Sequence, residues 1–356
     1  MKFSLLYEMQ ISEPTRASER QTFHDCVEQA VLADKVGFDG VWEVEHHGLY
    51  EYSHSSAPEV FLAYVAAKTN RIRLGHGVTL TPHRYNHPIR IAERVATLDI
   101  LSNGRVNWGS GKSSSAVEKV AFENRVDQLH EQWLEALQIV PRMWQEDVFQ
   151  WKGKFYNIAP TQVIPKPVQK PHPPIFAACS KPESAAAVGA LGIGALNFAL
   201  GTDQYLKQKV DDYRRAVASA APQGYQVNNY FACTPPTLVL PDDRRACRYG
   251  FRGARFFAES MATYYLGSNR PVGKLQVPRD FLPDEELEAA MSFRTAEGSQ
   301  CTAVIGDPAA AREMVNRFVS VGVDEIICVM QMGTVPHELV LESIRTFGEQ
   351  VIPHFR

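Results

Sequence analysis

Arg71–Glu93, RIRLGHGVTLTPHRYNHPIRIAE, followed by Leu98–Ser115, LDILSNGRVNWGSGKSSS, decides how this chain folds. Each stretch carries a short apolar run, Ile72–Thr79 and Val106–Ser110, that ends in His, Thr, Lys or Ser. Between them Pro88–Leu101 reads as a helix, with Pro88 at an early position where a missing N–H costs nothing. Upstream, Gly40–Glu45 ends the same way, in Glu45-His46-His47. A parallel α/β sheet presents polar groups at one edge in this manner, because each strand must cross back through a helix before the next begins.

The alternation continues outward in both directions. The sequence predicts strands at Phe3–Glu8, Gly40–Glu45, Ile72–Thr79, Val106–Ser110, Ile175–Cys179, Ala195–Leu200, Tyr230–Leu240 and Glu325–Met330. Helical patterns follow them at Ser18–Val36, Pro58–Lys68, Pro88–Leu101, Val126–Trp144, Pro182–Leu191, Gln204–Ala220, Asp243–Tyr265 and His337–Val351. Eight such units in 356 residues suit an α/β fold of the (β/α)8 TIM-barrel type with insertions. Gln150–Lys170 reads as a surface hairpin, and Gly267–Thr302 as a longer lid-like insertion. A further helix over Asp307–Val321 leads into the eighth strand, and residues 1–356 are expected to form a single domain.

Bulk properties narrow the function classes. A hydrophobic fraction of 45% supports a sizeable core. A formal net charge of -3 excludes a generally basic nucleic-acid binder and offers nothing to an anionic membrane. No run of 18 apolar residues occurs, and MKFSLLYEMQISEP lacks a secretory h-region, so a cytoplasmic protein is expected. The six cysteines form no CxxC pair and read as reduced thiols.

Four clusters carry the chemistry. In Glu45-His46-His47, strand alternation sends the two imidazoles to opposite faces, so one of them faces a central site. No HExxH motif accompanies them and no third metal ligand is evident, so no metal is expected. A structural pair, or a catalytic or cofactor-contacting histidine at a strand's carboxyl end, both stay open on this ground. Gly109-Ser110-Gly111-Lys112-Ser113 mimics a P-loop, but the glycine required five residues before Gly111 is Val106. What survives is a turn whose Lys112, Ser113 and Ser114 suit a phosphate, or simply a solvated loop. Cys179-Ser180-Lys181-Pro182-Glu183-Ser184 repeats the theme at the next strand end, where a serine would equally serve as a helix cap. Gly75-His76-Gly77-Val78-Thr79 places two glycines in a strand, which suggests a bulge or the close approach of a flat ligand.

These residues, with IRLGHGVTLTP, His87-Pro88, Leu101-Ser102-Asn103-Gly104-Arg105, Pro165–Ala178 (PKPVQKPHPPIFAA) and Ile305-Gly306-Asp307-Pro308, resemble the bacterial-luciferase-like flavin-dependent oxidoreductases over nearly the full chain. The resemblance implies a (β/α)8 barrel using reduced FMN delivered by a separate flavin reductase. O2 would add at the flavin C4a position, and the resulting (hydro)peroxyflavin would oxygenate a small organic substrate. It assigns the catalytic histidine to His46, with Glu45 as its expected orienting neighbour; a share for His47 or His83 stays open. It assigns the flavin ring to Gly77, Val78 and Thr79, with a non-proline cis peptide at Gly77-Val78. The phosphate falls to Lys112, Ser113 and Ser114, and to Cys179, Ser180, Lys181 and Ser184. It also implies a homodimer and a mobile loop at Gly267–Thr302. The luciferase cysteine before the phosphate-binding position is here Gly111, so aldehyde oxidation with light emission is not carried over. Two alternatives accompany this reading, namely hydride transfer with a deazaflavin coenzyme and a non-catalytic flavin-binding subunit.

Overall fold

The computed structural model describes residues 1–179, 183–199, 201–222, 224–266, 270–294 and 302–356. Its strands, in chain order, are β1 (Lys2–Tyr7), β2 (Gly40–Glu43), β3 (Arg73–Leu80), β4 (Val106–Gly111), β5 (Phe149–Lys152), β6 (Asn157–Thr161), β7 (Ile175–Cys179), β8 (Gly194–Phe198), β9 (Phe231–Thr234), β10 (Thr237–Val239), β11 (Val304–Gly306) and β12 (Glu325–Cys328). The α-helices are α1 (Arg16–Val36), α2 (Pro58–Lys68), α3 (Pro88–Leu101), α4 (Ala116–Ala121), α5 (Leu129–Gln145), α6 (Ser184–Ala190), α7 (Asp203–Ala218), α8 (Asp243–Tyr265), α9 (Asp284–Phe293), α10 (Pro308–Ser320) and α11 (His337–Gln350). Strands β1, β12, β9, β8, β7, β4, β3 and β2 close, in that spatial order, into the expected barrel of eight parallel strands.

Closure follows from what neighbouring residues on each strand do. Leu5, Val41, Ile175, Ala195 and Ile326 pack outward against the helices. Their successors Leu6, Trp42, Phe176, Leu196 and Ile327 fill the barrel interior. Both faces of each strand are therefore apolar, which is why these runs read as continuous rather than alternating. The helix ends are marked as their sequences require. Thr15 forms a capping box with Ser18 at the start of α1, Gly37 closes it at φ +107°, and His87 and Asp307 cap α3 and α10 ahead of prolines.

The base of the barrel is polar. The Glu325 carboxyl accepts from the Ser4 hydroxyl, from Trp42 Nε1 at 3.1 Å and from the Tyr230 hydroxyl at 2.8 Å. Burial pushes this carboxyl above its ordinary range, and the three donors partly offset it. Glycines fit the walls. A Cβ on Gly75 would stand 2.2 Å from the Trp42 ring, so this glycine serves barrel packing. A Cβ on Gly109 would lie 2.2 Å from the His76 carbonyl oxygen. Gly109→Ala is accordingly expected to cost about 1–3 kcal/mol in denaturant unfolding, and an unchanged midpoint would contradict this packing.

Two expectations are corrected here. The run Tyr230–Leu240 is not one strand: Pro235-Pro236 interrupts it, β9 stays in the barrel, and β10 pairs outside with β11. Proline has no N–H for the ladder and ends the barrel strand there. Helix α4 was also not foreseen. The hairpin expected at Gln150–Lys170 is β5–β6, pinned by Glu135 of α5, which accepts from Trp151 Nε1 at 2.8 Å and from the Phe155 and Tyr156 amides. Of the insertion at Gly267–Thr302, residues 270–294 and Thr302 are described; Leu275 and Val277 are buried, and Arg279 pairs with the buried Glu51. Among the described residues no helix is long and apolar enough to cross a membrane.

Candidate active site

Residues following β1 and β2, together with α4 and the end of α8, converge on His46. Its Nδ1 lies 2.8 Å from Glu118 Oε1, and its Nε2 lies 2.8 Å from the Tyr265 hydroxyl. Glu118, wholly buried on α4, also accepts from the His47 amide at 3.0 Å and from the Ser113 hydroxyl at 2.7 Å. Tyr52 completes the aromatic surround, with ring centroids 5.9 Å from His46 and 5.7 Å from Tyr265. Burial by itself would push the His46 imidazole down. The charge and hydrogen bond of Glu118, with Glu8 and Glu45 behind them, outweigh it and raise the imidazole to about 9. Glu118 is held below its ordinary range: burial raises it, but the His46 charge and its three donors prevail. At neutral pH the site therefore holds an imidazolium against a carboxylate.

Glu45 does not orient His46. Its Oε1 faces His47 Nε2 at 3.3 Å and accepts from Asn86 at 2.9 Å, while its Oε2 accepts from the Leu80 amide at 2.8 Å. The expected alternation of the two histidines holds in this arrangement, since His47 turns away to Tyr85 and Phe122. His83 bonds Gln132 at 3.0 Å and takes no part in the cluster. The orienting carboxylate comes instead from Glu118, 72 residues along the chain.

The Gly77-Val78 peptide is cis, and the register between β3 and β4 breaks between His76 and Thr79 at the same place. Val78 packs with the interior core. It leans over Gly111, where a Cβ would come within 2.4 Å of it. Across β7 the neighbouring inward residue, Ala178, is exposed although the rest of the strand is buried. Gly109, Gly111, Val78 and Ala178 thus leave a shelf of small side chains at the mouth of the barrel.

The other predicted residues separate. The Thr79 hydroxyl is buried without a hydrogen-bond partner. Lys112 is exposed, 3.1 Å from His130 Nδ1 and over the Trp133 ring. Ser113, at φ +68°, turns its hydroxyl to Glu118. Ser114 is exposed, and its carbonyl accepts from Lys119 at 2.8 Å. Cys179 points into the outer core, and burial pushes its thiol up to about 12. Ser184 opens α6. Ser180 and Lys181 lie outside the described residues.

Glu118, Glu8, Tyr52 and Tyr265 are the residues that sequence reasoning missed. Two of them left a signal. Ser115-Ala116-Val117-Glu118 has the Ser-x-x-Glu form that opens a helix, and Ser115 does cap α4 by accepting from the Val117 amide. Glu8 stands at the carboxyl end of a barrel strand, the position where reactive groups collect.

The arrangement suits a flat ring resting on the Val78–Gly111–Ala178 shelf with an anionic tail toward Lys112, and the buried Thr79 hydroxyl is left for such a ligand to meet. Comparison with known proteins agrees with the fold. A family model described as luciferase-like monooxygenase matches residues 1–325. The oxygenase component of the flavin-dependent trigonelline monooxygenase of Acinetobacter baylyi is 31% identical over 189 residues, 52% of this chain and 50% of that protein. The F420-dependent glucose-6-phosphate dehydrogenase of Amycolatopsis mediterranei is 32% identical over 180 residues, 48% of this chain and 52% of that one. The chain thus spans about half the length of these curated relatives. The crystal structure of the monooxygenase RslO1 from Streptomyces bottropensis superposes with a TM-score of 0.82 at 26% identity, covering 100% of both chains.

Proposed function

Because this chain belongs to the luciferase-like monooxygenase family, we propose that it is a flavin-dependent monooxygenase that takes reduced FMN from a separate reductase and oxygenates a small organic substrate with O2. The observation that carries this reading is His46, held as an imidazolium by Glu118 just after β2, the strand paired with the β3 that carries Gly77-Val78. The flavin-dependent and monooxygenase relatives support it.

In this reading the reduced flavin, when bound, supplies two electrons for the activation of O2. The protein's own residues do the rest. Val78, Gly111 and Ala178 carry the ring, Thr79 offers its buried hydroxyl, and Lys112, Ser114 and Ser184 are the described groups assigned to the phosphate. Ser113 leaves that set, because its hydroxyl serves Glu118. Cys179 leaves it as well, because its thiol faces the outer core. His46 keeps a proton on Nε2 and a positive charge where negative charge develops on oxygen. Tyr52, Tyr264, Leu275 and Val277, all buried with the interior core, keep water from the reacting atoms. A homodimer is part of the proposal. Val60 and Tyr64 of α2 and Ile100 and Leu101 of α3 leave an exposed apolar face on two adjacent helices.

A second reading, hydride transfer with a deazaflavin on the same fold, is favoured by the F420-dependent relative. Mixing the purified protein with each reduced coenzyme separates the two. Reduced FMN is expected to bind, with oxygen uptake once air is admitted. Binding of the reduced deazaflavin alone, with no oxygen uptake, would overturn the monooxygenase assignment.

A further inference from the structure

Glu8, at the end of β1, lies across His46 from Glu118, and the two carboxyl groups are not equivalent. Glu118 receives three donors, from His46 Nδ1, the His47 amide and the Ser113 hydroxyl. Glu8, 2% exposed, receives the Tyr52 hydroxyl on Oε1 at 2.9 Å. Its other oxygen, Oε2, stands 3.7 Å from His46 Nε2 and has no hydrogen-bond partner. One imidazolium therefore sits between two carboxyl groups. Three donors hold the negative charge on Glu118, whereas burial raises the Glu8 carboxyl, so of the two Glu8 takes up a proton more readily.

From this geometry we propose that Glu8 is the second acid–base group of the site, carrying on Oε2 the proton it gives to a substrate atom bound beside His46 Nε2. The inference rests on the proposed monooxygenase reading for the identity of the reaction, but not for the protonation of Glu8. In the step the O–H bond of the carboxyl breaks and a new bond from that proton to the substrate acceptor forms. Glu8 is left as a carboxylate next to the His46 imidazolium, and a proton from solvent restores it after product leaves. Oε2 makes no hydrogen bond within the protein and meets only the His46 charge at 3.7 Å, so a ligand atom would complete it. The groups facing Glu8 are Tyr52 and Ser53 from the loop after β2, His46, Glu118 from α4 and Tyr265 from α8. Burial raises the Glu8 carboxyl above its ordinary range, with the His46 charge and the Tyr52 and Ser53 hydroxyls offsetting part of that. Glu325, by contrast, is tied through both oxygens.

Infrared difference spectra between the wild-type protein and Glu8→Gln test this without coenzyme. A protonated-carboxyl band at pH 7, shifted in D2O and absent from the variant, is expected. Tyr52→Phe, which removes the phenol from Oε1, should shift the same band and reads it even if Glu8→Gln folds poorly. With reduced FMN, Glu8→Gln should bind the coenzyme as the wild type does, form product about 10²-fold more slowly and lose the alkaline limb of the pH profile. Absence of the band in the free protein would overturn the proposal and make Glu8 an ionised group suited to a cationic ligand. Wild-type turnover by Glu8→Gln would overturn it as well. Failure of the protein to use reduced FMN with the band present would instead count against the monooxygenase reading alone.

Discussion

His46→Ala is expected to form coupled product about 10²–10⁴-fold more slowly while binding reduced FMN within about twofold of the wild type. The imidazole is anchored through Nδ1 by Glu118 at 2.8 Å, and its Nε2 meets the Tyr265 hydroxyl at 2.8 Å with Glu8 Oε2 at 3.7 Å. Removing it leaves the shelf of Val78, Gly111 and Ala178 and the Lys112 turn in place, so coenzyme affinity should survive. What goes is the proton and the positive charge beside the reacting oxygen. Reduced flavin should therefore still be oxidised, with hydrogen peroxide replacing product. Quantifying flavin oxidation, peroxide and product in one reaction checks this, and unchanged coupling would sink the role given to His46.

The second large effect falls on Glu118. Glu118→Gln keeps the shape but removes the charge, so the His46 midpoint should fall from about 9 toward the ordinary imidazole value. A histidine titration by NMR reads this directly. Glu118→Ala goes further, leaving His46 Nδ1, the His47 amide and the Ser113 hydroxyl without their acceptor. The expected loss is about 3–5 kcal/mol in denaturant unfolding. A loss below about 1 kcal/mol would show that the pair is not built as described.

The pH dependence of that stability has a definite sign. His46 is raised from 6.5 to about 9 on folding, so its contribution, of about 3 kcal/mol, is fully present below pH 6.5 and lost as pH climbs through about 9. Glu118 is lowered on folding, so its share is present above its unfolded value of 4.5 and lost as pH falls through its folded one. These are two ends of one interaction. Its full strength lies between about pH 4.5 and 6.5, and Glu118→Gln should flatten the profile on the alkaline side first.

The barrel was legible because parallel strands are buried on both faces, so each leaves an apolar run followed by a helix whatever its distant neighbours are. Only Tyr230–Leu240 misled, where an apolar run passes through Pro235-Pro236 and the chain leaves the barrel. The site was legible in part. Gly77-Val78 and His46 stand in motifs that are local in sequence, and their backbone positions follow from the strand that carries them. The partner of His46 was not, because adjacency in sequence favoured Glu45. Strand geometry instead ties Glu45 to the Leu80 amide and Asn86.

By itself, then, the sequence determined the barrel and its polar edge, both consequences of local pattern and strand period; His46 and the Gly77-Val78 turn were singled out through the family resemblance. Only the tertiary structure decided that Glu118 and not Glu45 charges His46, that Tyr265 closes on its far nitrogen, and that Glu8 waits on the same side. Those contacts join β1, the loop after β2, α4 and α8 across separations of up to 219 residues. Hydrogen bonds of 2.8 Å at such separations depend on where barrel closure places each strand end. No spacing along the chain encodes that placement.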